Sequence, residues 1–301
     1  MPDKRPYIGR FAPSPTGPLH LGSLCTALAS FLQARSHQGL WLLRIDDLDT
    51  PRTIKGSADN ILKTLEAFGL LWDDRVAYQS RSLDVYNDIL DQLAKNNLIY
   101  PCTCSRKTLT DIYSGVCRNK QSLPNSPYSL RIKTDNRIIS FEDELQGLIA
   151  HNLAEQDGDF ILKRKDRIIA YQFAVVVDDD LQQVNHVVRG FDLLDSTPKQ
   201  IYLQQILGLK TPGYMHVPVI TDESGYKLSK QTLATAVDVK NPQTVIFKLL
   251  ALLKQNPPIE LLYASLTELL AWAIEHWNPS VLKNFHTICE ADKSVLETCM
   301  K

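Results

Sequence analysis

Residues 7–23 are Tyr7-Ile8-Gly9-Arg10-Phe11-Ala12-Pro13-Ser14-Pro15-Thr16-Gly17-Pro18-Leu19-His20-Leu21-Gly22-Ser23, and this stretch predicts a strand, a loop and a helix in succession. Residues 7–12 predict a short buried strand, and the Pro- and Gly-rich residues after them predict a loop. A helix is predicted over residues 23–34, because apolar side chains recur there at helical spacing. Such a loop lies at the carboxyl end of a parallel strand, where open α/β sheets bind their ligands.

The alternation of strand and helix continues along the chain. Residues 41–45 predict a second strand, residues 53–68 a helix that ends at Gly69, and residues 83–96 another helix. A strand at 187–190 and a helix at 198–207, with Pro198 in its first turn, resume the pattern later. This order predicts an α/β fold, a Rossmann-like doubly wound parallel sheet.

Residues from about 100 to 180 interrupt this pattern. Short strand-like pieces occur at 129–133 and 159–178, and Lys165-Asp166 predicts a hairpin turn. We therefore predict a split nucleotide-binding catalytic domain (1–100 and 181–240), an inserted α+β module (101–180) and a short C-terminal helical region (241–301). The last region is rich in helix-forming residues.

Composition excludes several classes of protein. The 301 residues are 44% hydrophobic and 22% charged, which is typical of a soluble globular protein. There is no signal segment and no apolar run long enough to span a membrane, so we expect a cytoplasmic protein. A net charge of −1 excludes a globally basic nucleic-acid binder. Residues 102–137 nevertheless hold seven Lys or Arg against two Asp, a local patch suited to RNA phosphates.

Two motifs together predict ATP-dependent adenylation. In the first, Gly17 and Gly22 allow close approach of a nucleotide at a helix N-terminus, and His20 can donate to phosphate oxygens. The second is Lys227-Leu228-Ser229-Lys230-Gln231. Its two lysines can clamp the β- and γ-phosphates and stabilise the departing pyrophosphate. Taken alone, the His-x-Gly motif has the alternative of a Pro-rich turn with a surface His, and the lysine pair that of a solvated basic turn. The full string at 9–22 is far more specific, and it raises the lysine motif above that alternative.

Four further residues are candidates for binding a small zwitterion. Arg10 and Arg189 can bind carboxylates bidentately, Asp46 at the end of its strand can hold an ammonium group, and Tyr171 can add a hydroxyl. The alternative for each residue alone is an ordinary ion pair at a strand end.

A cysteine cluster predicts a metal site. Cys102, Cys104 and Cys117 lie within 16 residues, and Tyr113 precedes Cys117 by four. In a chain without a secretory signal such clustering favours a metal over disulfides. Three thiolates and one more ligand would complete a tetrahedral structural zinc site. Tyr113 would be an unusual fourth ligand, so a reduced thiol cluster and a three-Cys site closed by water stay open.

The motif strings resemble the catalytic core of the glutamyl-tRNA synthetase family, a class I family with His-x-Gly and Lys-x-Ser-Lys motifs. Residues 9–17, 44–52, 187–194 and 196–200 carry the resemblance, which covers about 7 to 235. It implies the following roles. L-Glutamate would be bound by Arg10, Phe11, Ala12, Pro13, Ser14, Asp46, Tyr171 and Arg189. ATP, with Mg²⁺, would be bound by His20, Gly22 and Lys230, and His20, Lys227 and Lys230 would act in catalysis.

The implied reaction is attack of the glutamate α-carboxylate on the α-phosphate of ATP, which gives glutamyl-adenylate and pyrophosphate. Such catalysis is mainly positioning and charge stabilisation, without a covalent enzyme nucleophile. In one departure, Asp46 stands where the family more often has Glu. Asp is one methylene shorter, which leaves room for a water between its carboxylate and the ammonium group.

The length of the chain suggests that the activated glutamate is transferred to an unusual acceptor. Residues 232–301 are only 70 in number, whereas full synthetases of the family carry a large helical anticodon-binding half there. The shortened form with the Cys-x-Cys…Tyr-x3-Cys cluster moves glutamate onto queuosine in the anticodon of tRNA(Asp). The resemblance thus implies a ligase with tRNA(Asp) carrying queuosine as partner and Zn²⁺ on Cys102, Cys104, Tyr113 and Cys117. It also implies an acceptor-binding type of inserted module, no full anticodon-binding domain and no membrane partner. We expect a monomer.

Three alternatives remain at this point. A truncated glutamyl-tRNA synthetase would charge tRNA(Glu), and a non-catalytic paralogue would bind RNA or an amino acid. A small-molecule adenylating ligase or a nucleotidyltransferase would share only the phosphate loop, and the extended glutamate-type strings disfavour it.

Overall fold

The computed structural model of the protein describes residues 6–105, 112–120, 124–226 and 237–291. In chain order the strands are β1 Ile8–Phe11, β2 Leu40–Ile45, β3 Ala77–Tyr78, β4 Ile99–Cys102, β5 Ser129–Ile132, β6 Ile138–Asp143, β7 Gly147–Asn152, β8 Ile161–Lys163, β9 His186–Gly190, β10 Gly213–Val217, β11 Val219–Thr221 and β12 Thr287–Cys289. The α-helices are α1 Leu21–Ser36, α2 Ser57–Ala67, α3 Leu83–Lys95, α4 Leu153–Gln156, α5 Tyr171–Leu181, α6 Thr197–Leu207, α7 Pro242–Leu252 and α8 Leu266–Glu275.

Parallel strands form the centre of the molecule, so the predicted α/β fold is confirmed. Strands β1, β2 and β3 pair in parallel in that order, with Ile8 opposite Leu40. Strands β9 and β10 form a second parallel pair. The backbone N–H of Asn185, just before β9, donates to the Ile8 carbonyl at 3.0 Å and thereby joins β9 to β1. The carboxyl ends of β1, β2 and β9 therefore meet at one edge.

The interval 101–180 contributes strands to two different sheets. Strands β4, β5 and β8 form a separate antiparallel sheet. The β6–β7 hairpin instead joins β10, where Tyr214 pairs with Asp143. The division of the chain into domains stays a prediction.

Helix α1 packs against strands β1, β2 and β9 and against helix α8. Leu24, Leu28 and Leu32 on it are fully buried. Its two buried polar side chains are satisfied by indole donors. Trp41 Nε1 donates to Ser30 Oγ at 2.9 Å, and Trp277 Nε1 donates to Gln33 Oε1 at 2.6 Å. The second bond ties the C-terminal region to the core.

One predicted element is wrong. Residues 159–178, expected to be strand-like, form the short strand β8 and then helix α5 from Tyr171. The run Val175-Val176-Val177 favours a strand because its side chains are β-branched. In the fold all three are buried in the core, and burial of this segment as a helix outweighs its local preference. The predicted turn at Lys165-Asp166 is confirmed by a hydrogen bond from the Arg164 N–H to the Ile168 carbonyl at 2.8 Å.

Two element boundaries also differ. Helix α2 begins at Ser57 because Gly56 has φ +79, and Thr50–Arg52 forms a separate 3-10 turn. The C-terminal region is helical up to Glu275, but its Thr287–Cys289 strand pairs in parallel with β11. Among the described residues no helix is both long enough and apolar enough to cross a membrane.

Candidate active site

A cleft of about 860 Å³ opens at the carboxyl ends of β1, β2 and β9. Every residue that the sequence predicted for glutamate lines it, namely Arg10, Phe11, Ala12, Pro13, Ser14, Asp46, Tyr171 and Arg189. His20 and Gly22, predicted for ATP, line the same cleft. Lys227 and Lys230 lie outside the described residues, so their placement stays a prediction. The fold thus brings together side chains separated by up to 179 positions.

The loop before α1 is held by backbone contacts to neighbouring elements. The N–H of Asp46 donates to the Pro13 carbonyl at 3.0 Å. Ser57 Oγ both accepts from the N–H of Gly17 and donates to its carbonyl, at 3.0 and 2.7 Å. Gly17 has φ +136, a conformation that side-chain-bearing residues rarely adopt. These bonds fix the loop where the N-terminus of α1 can receive phosphate.

His20 is the N-cap of α1. Its Nδ1 accepts the N–H of Ser23 at 3.2 Å, and its Nε2 lies 2.8 Å from Ser23 Oγ. Because Nδ1 accepts, the proton of the neutral ring is on Nε2. In this structure that N–H is directed at Ser23 Oγ, so a contact from it to phosphate would replace this hydrogen bond. The cap therefore orients the ring as well as starting the helix.

A buried network of charges lies under the cleft. Arg10 donates through Nε and Nη2 to the two oxygens of Asp179, at 3.0 and 3.3 Å. Arg44 donates to Asp179 Oδ1 at 2.7 Å and to Asp46 Oδ1 at 2.8 Å. Asp178 accepts from Tyr86 and Gln79 as well, at 2.6 and 2.7 Å. Each group in the network is at most 7% exposed.

The network carries more negative than positive charge. Within the part of the chain that the structure describes, its three carboxylates (Asp46, Asp178 and Asp179) face two guanidinium groups. Burial raises the pKa of Asp46 to about 6, although Arg44 opposes the shift. Burial likewise raises the pKa of Asp178, against the pull of Arg44. A cation bound beside Asp46 would therefore be stabilised.

Arg189 is held by neutral acceptors. Its Nη1 donates to Gln200 Oε1 at 2.8 Å and to the Tyr171 hydroxyl at 3.3 Å, and its Nη2 donates to Thr197 Oγ1 at 2.7 Å. Its Nε donates to Nε2 of His216 at 3.0 Å. None of these partners is a carboxylate, so the guanidinium keeps its positive charge for an anion in the cleft.

His216 connects Arg189 to a buried acid. The His216 ring is fully buried, and its Nδ1 lies 2.6 Å from Oδ2 of Asp143. Since Nε2 accepts from Arg189, Nδ1 carries the proton and donates to Asp143. Burial and the nearby Arg189 charge lower the pKa of His216, which keeps the ring neutral. The sequence missed this pair, because nothing in the motif strings marks either residue.

The sequence also missed Arg44, Asp178 and Asp179. Arg44 precedes Asp46 by two positions, and alternation along a strand puts both side chains on the same face. This spacing could have identified Arg44 as a partner of Asp46. Asp178 and Asp179 directly follow an apolar run within α5. The available signal was that two acidic residues adjoin a segment apolar enough to be buried.

The predicted metal ligands converge. The sulfurs of Cys102, Cys104 and Cys117 lie within 4.8 Å of one another, and those of Cys104 and Cys117 are 3.6 Å apart. The Tyr113 hydroxyl lies 3.3 Å from the Cys102 sulfur and 3.8 Å from that of Cys104. A tetrahedral zinc has S···S edges of about 3.8 Å and S···O edges of about 3.5 Å from its bond lengths. The four side chains therefore fit such an ion.

Asp159 holds the cysteine cluster in place. Oδ1 of Asp159 accepts from the backbone N–H of Thr134 at 2.7 Å and from Arg118 Nη1 at 3.1 Å, and Oδ2 accepts from the Tyr100 hydroxyl at 2.7 Å. Arg118 directly follows Cys117 in sequence. Asp159 thus connects the cysteine turn to the β4–β5–β8 sheet.

The family of the chain follows from comparison with known proteins. The model described as tRNA synthetases class I (E and Q), catalytic domain, matches residues 8–254. The chain belongs to this family of class I tRNA synthetases, and it is therefore a ligase. The family resemblance drawn from the sequence is confirmed.

Curated relatives give a finer comparison. The chain is 47% identical over 282 residues to the glutamyl-Q tRNA(Asp) synthetase of Aromatoleum aromaticum, spanning 91% of this chain and 89% of the relative. It is 48% identical over 277 residues to the protein of the same name from Methylococcus capsulatus, spanning 91% and 92%.

A solved structure supports the fold. The glutamate-tRNA synthetase of Elizabethkingia anophelis superimposes with a TM-score of 0.81 at 25% identity, covering 98% of this chain and 70% of that one. The predicted Rossmann-like fold class is confirmed by this likeness.

Proposed function

We propose that the protein activates L-glutamate with ATP and transfers the glutamyl group to queuosine in the anticodon of tRNA(Asp). One observation supports an amino acid as the substrate. Arg189, whose side-chain partners are neutral, and the incompletely neutralised Asp46 line one cleft, and the carboxylate and ammonium group of an amino acid complement this pair of charges. Arg10 lines the same cleft but is paired with Asp179, so its contact with glutamate is assigned from the family resemblance.

In the first step, the α-carboxylate of glutamate attacks the α-phosphate of ATP, and pyrophosphate leaves. The protein contributes position and charge. Arg10 and Arg189 orient the carboxylates, Asp46 holds the ammonium group, and His20 with the N-terminus of α1 receives the phosphates. Mg²⁺ bound to ATP would neutralise phosphate charge. Lys227 and Lys230 are assigned to the departing pyrophosphate from the sequence alone.

In the second step, a nucleophilic oxygen of queuosine attacks the adenylate carbonyl, and AMP leaves. The names of the curated relatives support tRNA(Asp) as the acceptor. We further propose that Cys102, Cys104, Cys117 and Tyr113 hold one structural Zn²⁺, which would fix the cysteine turn to the end of β4. We also propose a cytoplasmic monomer.

The proposal is tested with the whole protein and purified tRNAs. We expect pyrophosphate exchange that requires glutamate and needs no tRNA. Labelled glutamate should become acid-precipitable with tRNA(Asp) that carries queuosine, and not with the same tRNA lacking it. Nuclease mapping should place the label in the anticodon fragment. Labelling of tRNA(Glu) at its 3′ end, with none on tRNA(Asp), would show that the protein is a truncated glutamyl-tRNA synthetase.

Absence of pyrophosphate exchange with every amino acid would instead identify a non-catalytic paralogue. The convergence of the predicted glutamate residues with His20 and Gly22 in one cleft favours the enzyme.

A further inference from the structure

A second pocket, of about 490 Å³, lies outside the catalytic cleft. The hairpin turn after β8 forms one wall with Lys163, Arg164, Lys165 and Arg167. The residues before β5 form the other wall and include Tyr128. The motif strings of the sequence did not single out this pocket.

The pocket is strongly basic. Residues 163–167 hold four cations and one acid, Asp166, which pairs with Arg164 Nη2 at 2.6 Å. The two lysines contact neutral acceptors. Lys163 Nζ donates to Asn87 Oδ1 at 2.8 Å, and Lys165 Nζ donates to the Thr103 carbonyl at 2.7 Å. Neither bond neutralises a lysine charge, and Lys165 is exposed. The wall therefore presents positive charge to solvent.

Tyr128 gives the pocket an aromatic surface. The residue is half-buried, and it shares the pocket with the exposed Arg167. An aromatic ring beside cationic side chains is the combination that binds single-stranded nucleic acid, because bases stack on the ring while phosphates contact the cations.

Short connections join this pocket to the catalytic cleft. Arg164 Nη1 lies 3.4 Å from Asp49 Oδ2, and the same oxygen lies 2.6 Å from Arg52 Nη2. Arg52 lines the catalytic cleft. Tyr171, which also lines that cleft, is four residues after Arg167, and four residues span at most about 14 Å. A strand bound in the basic pocket is therefore close enough to present a neighbouring nucleotide to the cleft.

The basic stretch at 102–137, predicted to contact RNA, is less available. Arg131 is buried and donates to the Asp159 carbonyl at 2.6 Å, and Arg118 is paired with Asp159. Arg137 is paired with Asp135 at 2.7 Å. Arg106 and Lys107 lie outside the described residues. Arg118 and Arg131 are thus held inside the fold, and Arg137 is paired at the surface, whereas Lys120 and Lys133 keep their charge.

We infer that the basic pocket binds a single-stranded segment of the RNA substrate, with phosphates on Lys165 and Arg167 and a base stacked on Tyr128. This inference rests on the proposed function. On this inference, the 163–167 hairpin and Tyr128 hold an unpaired RNA loop beside the catalytic cleft. One nucleotide of that loop can then enter the cleft.

The first test removes charge. We compare Lys165→Ala/Arg167→Ala with Lys63→Ala/Lys283→Ala, in which both lysines are exposed and line neither cavity. The hairpin variant should bind tRNA(Asp) about tenfold more weakly, and the slope of log Kd against log salt should fall by about 2, one per phosphate contact. Glutamate-dependent pyrophosphate exchange without tRNA should be unchanged. The control variant should behave as the wild type.

The second test removes the ring. Tyr128→Ala should weaken tRNA binding by roughly five- to a hundredfold, the range for one base stacked on an aromatic side chain. Tyr128→Phe keeps the ring and should restore binding. Equal loss in both variants would overturn the stacking role.

The outcomes separate the two proposals. A wild type that neither activates glutamate nor labels tRNA refutes the proposed function. A wild type that labels tRNA, with a hairpin variant matching the control in Kd and salt slope, refutes this inference. An acidic peptide that binds the wild type but not the hairpin variant, with tRNA binding unaltered, would also overturn it and would assign the surface to a protein partner.

Discussion

The Nδ1 atom of His216 lies 2.6 Å from Oδ2 of Asp143, two residues that are 73 positions apart. Both are fully buried, and Nε2 of the same ring accepts from Nε of Arg189 at 3.0 Å. Asp143 thus sets the tautomer of His216, and the ring in turn supplies the acceptor that orients the Arg189 guanidinium. His216 is a positioning residue on this geometry, because it acts on the cleft through Arg189.

Replacing His216 should therefore affect substrate binding. In His216→Phe, Arg189 Nε loses its acceptor, and we expect the KM for glutamate in pyrophosphate exchange to rise about tenfold with little change in kcat. His216→Gln can still donate and accept, and should recover part of the loss. Melting temperatures measured alongside should fall more for Phe, since Asp143 loses its ring partner at a cost of about 1–3 kcal/mol. An unchanged KM in His216→Phe would contradict the positioning role.

Asp46→Asn should change stability in a pH-dependent way. The folded protein raises the pKa of Asp46 to about 6, chiefly by burial, so the acid favours folding when protonated. That contribution is complete below the unfolded pKa and is lost as the pH rises through 6. Asn resembles the protonated acid. The variant should therefore be more stable than the wild type at about pH 8, by up to about 3 kcal/mol, and the difference should shrink towards about pH 4.

The same variant should bind glutamate less well, because the ammonium group loses its anionic partner. Chemical denaturation at several pH values and the KM for glutamate measure the two effects. A stability difference that does not vary with pH would contradict the origin of the shift.

The cysteine cluster is tested by metal content. Cys104→Ser should lower zinc per protein chain, measured by atomic emission, and should increase proteolysis within the cysteine turn. Cys289→Ser is the matched control, since this half-buried thiol lies outside the cluster. Tyr113→Phe keeps the ring under the Arg131 guanidinium, 3.9 Å away, and removes only the oxygen. Full zinc occupancy in Tyr113→Phe would assign the fourth position to another ligand, and full occupancy in Cys104→Ser would contradict the site.

Lys230→Ala tests the second motif, which lies outside the described residues. Its charge is assigned to the departing phosphates, so we expect kcat for pyrophosphate exchange to fall roughly a hundredfold, as for loss of one stabilising donor. The KM for glutamate should change little. Equal changes in kcat and in glutamate affinity would contradict a role confined to the phosphates.

The local parts of the fold and site could be predicted from the sequence. Arg10, Asp46 and Arg189 each stand at the carboxyl end of a parallel strand, so alternation of strand and helix placed them at one edge. The prediction was wrong for residues 171–178, because the β-branched run favours a strand and only packing in the core makes it a helix. Partners of the site residues were missed for a related reason: Asp179 is 169 positions from Arg10 and carries no motif.

Most of the strands and helices, both motifs and the spacing of the cysteine cluster can be read from the chain, because they depend on neighbouring residues. The charges that are neutralised, and those that remain available, become visible only in the folded molecule. Arg118 belongs to the basic stretch in sequence, yet it is paired with the Asp159 carboxylate. Arg131 of the same stretch is buried and donates to the Asp159 backbone carbonyl. Lys165 and Arg167, which looked like an ordinary turn, remain exposed beside the cleft. The charge that a side chain presents to a ligand depends on its burial and on partners distant in sequence, and no local pattern records either.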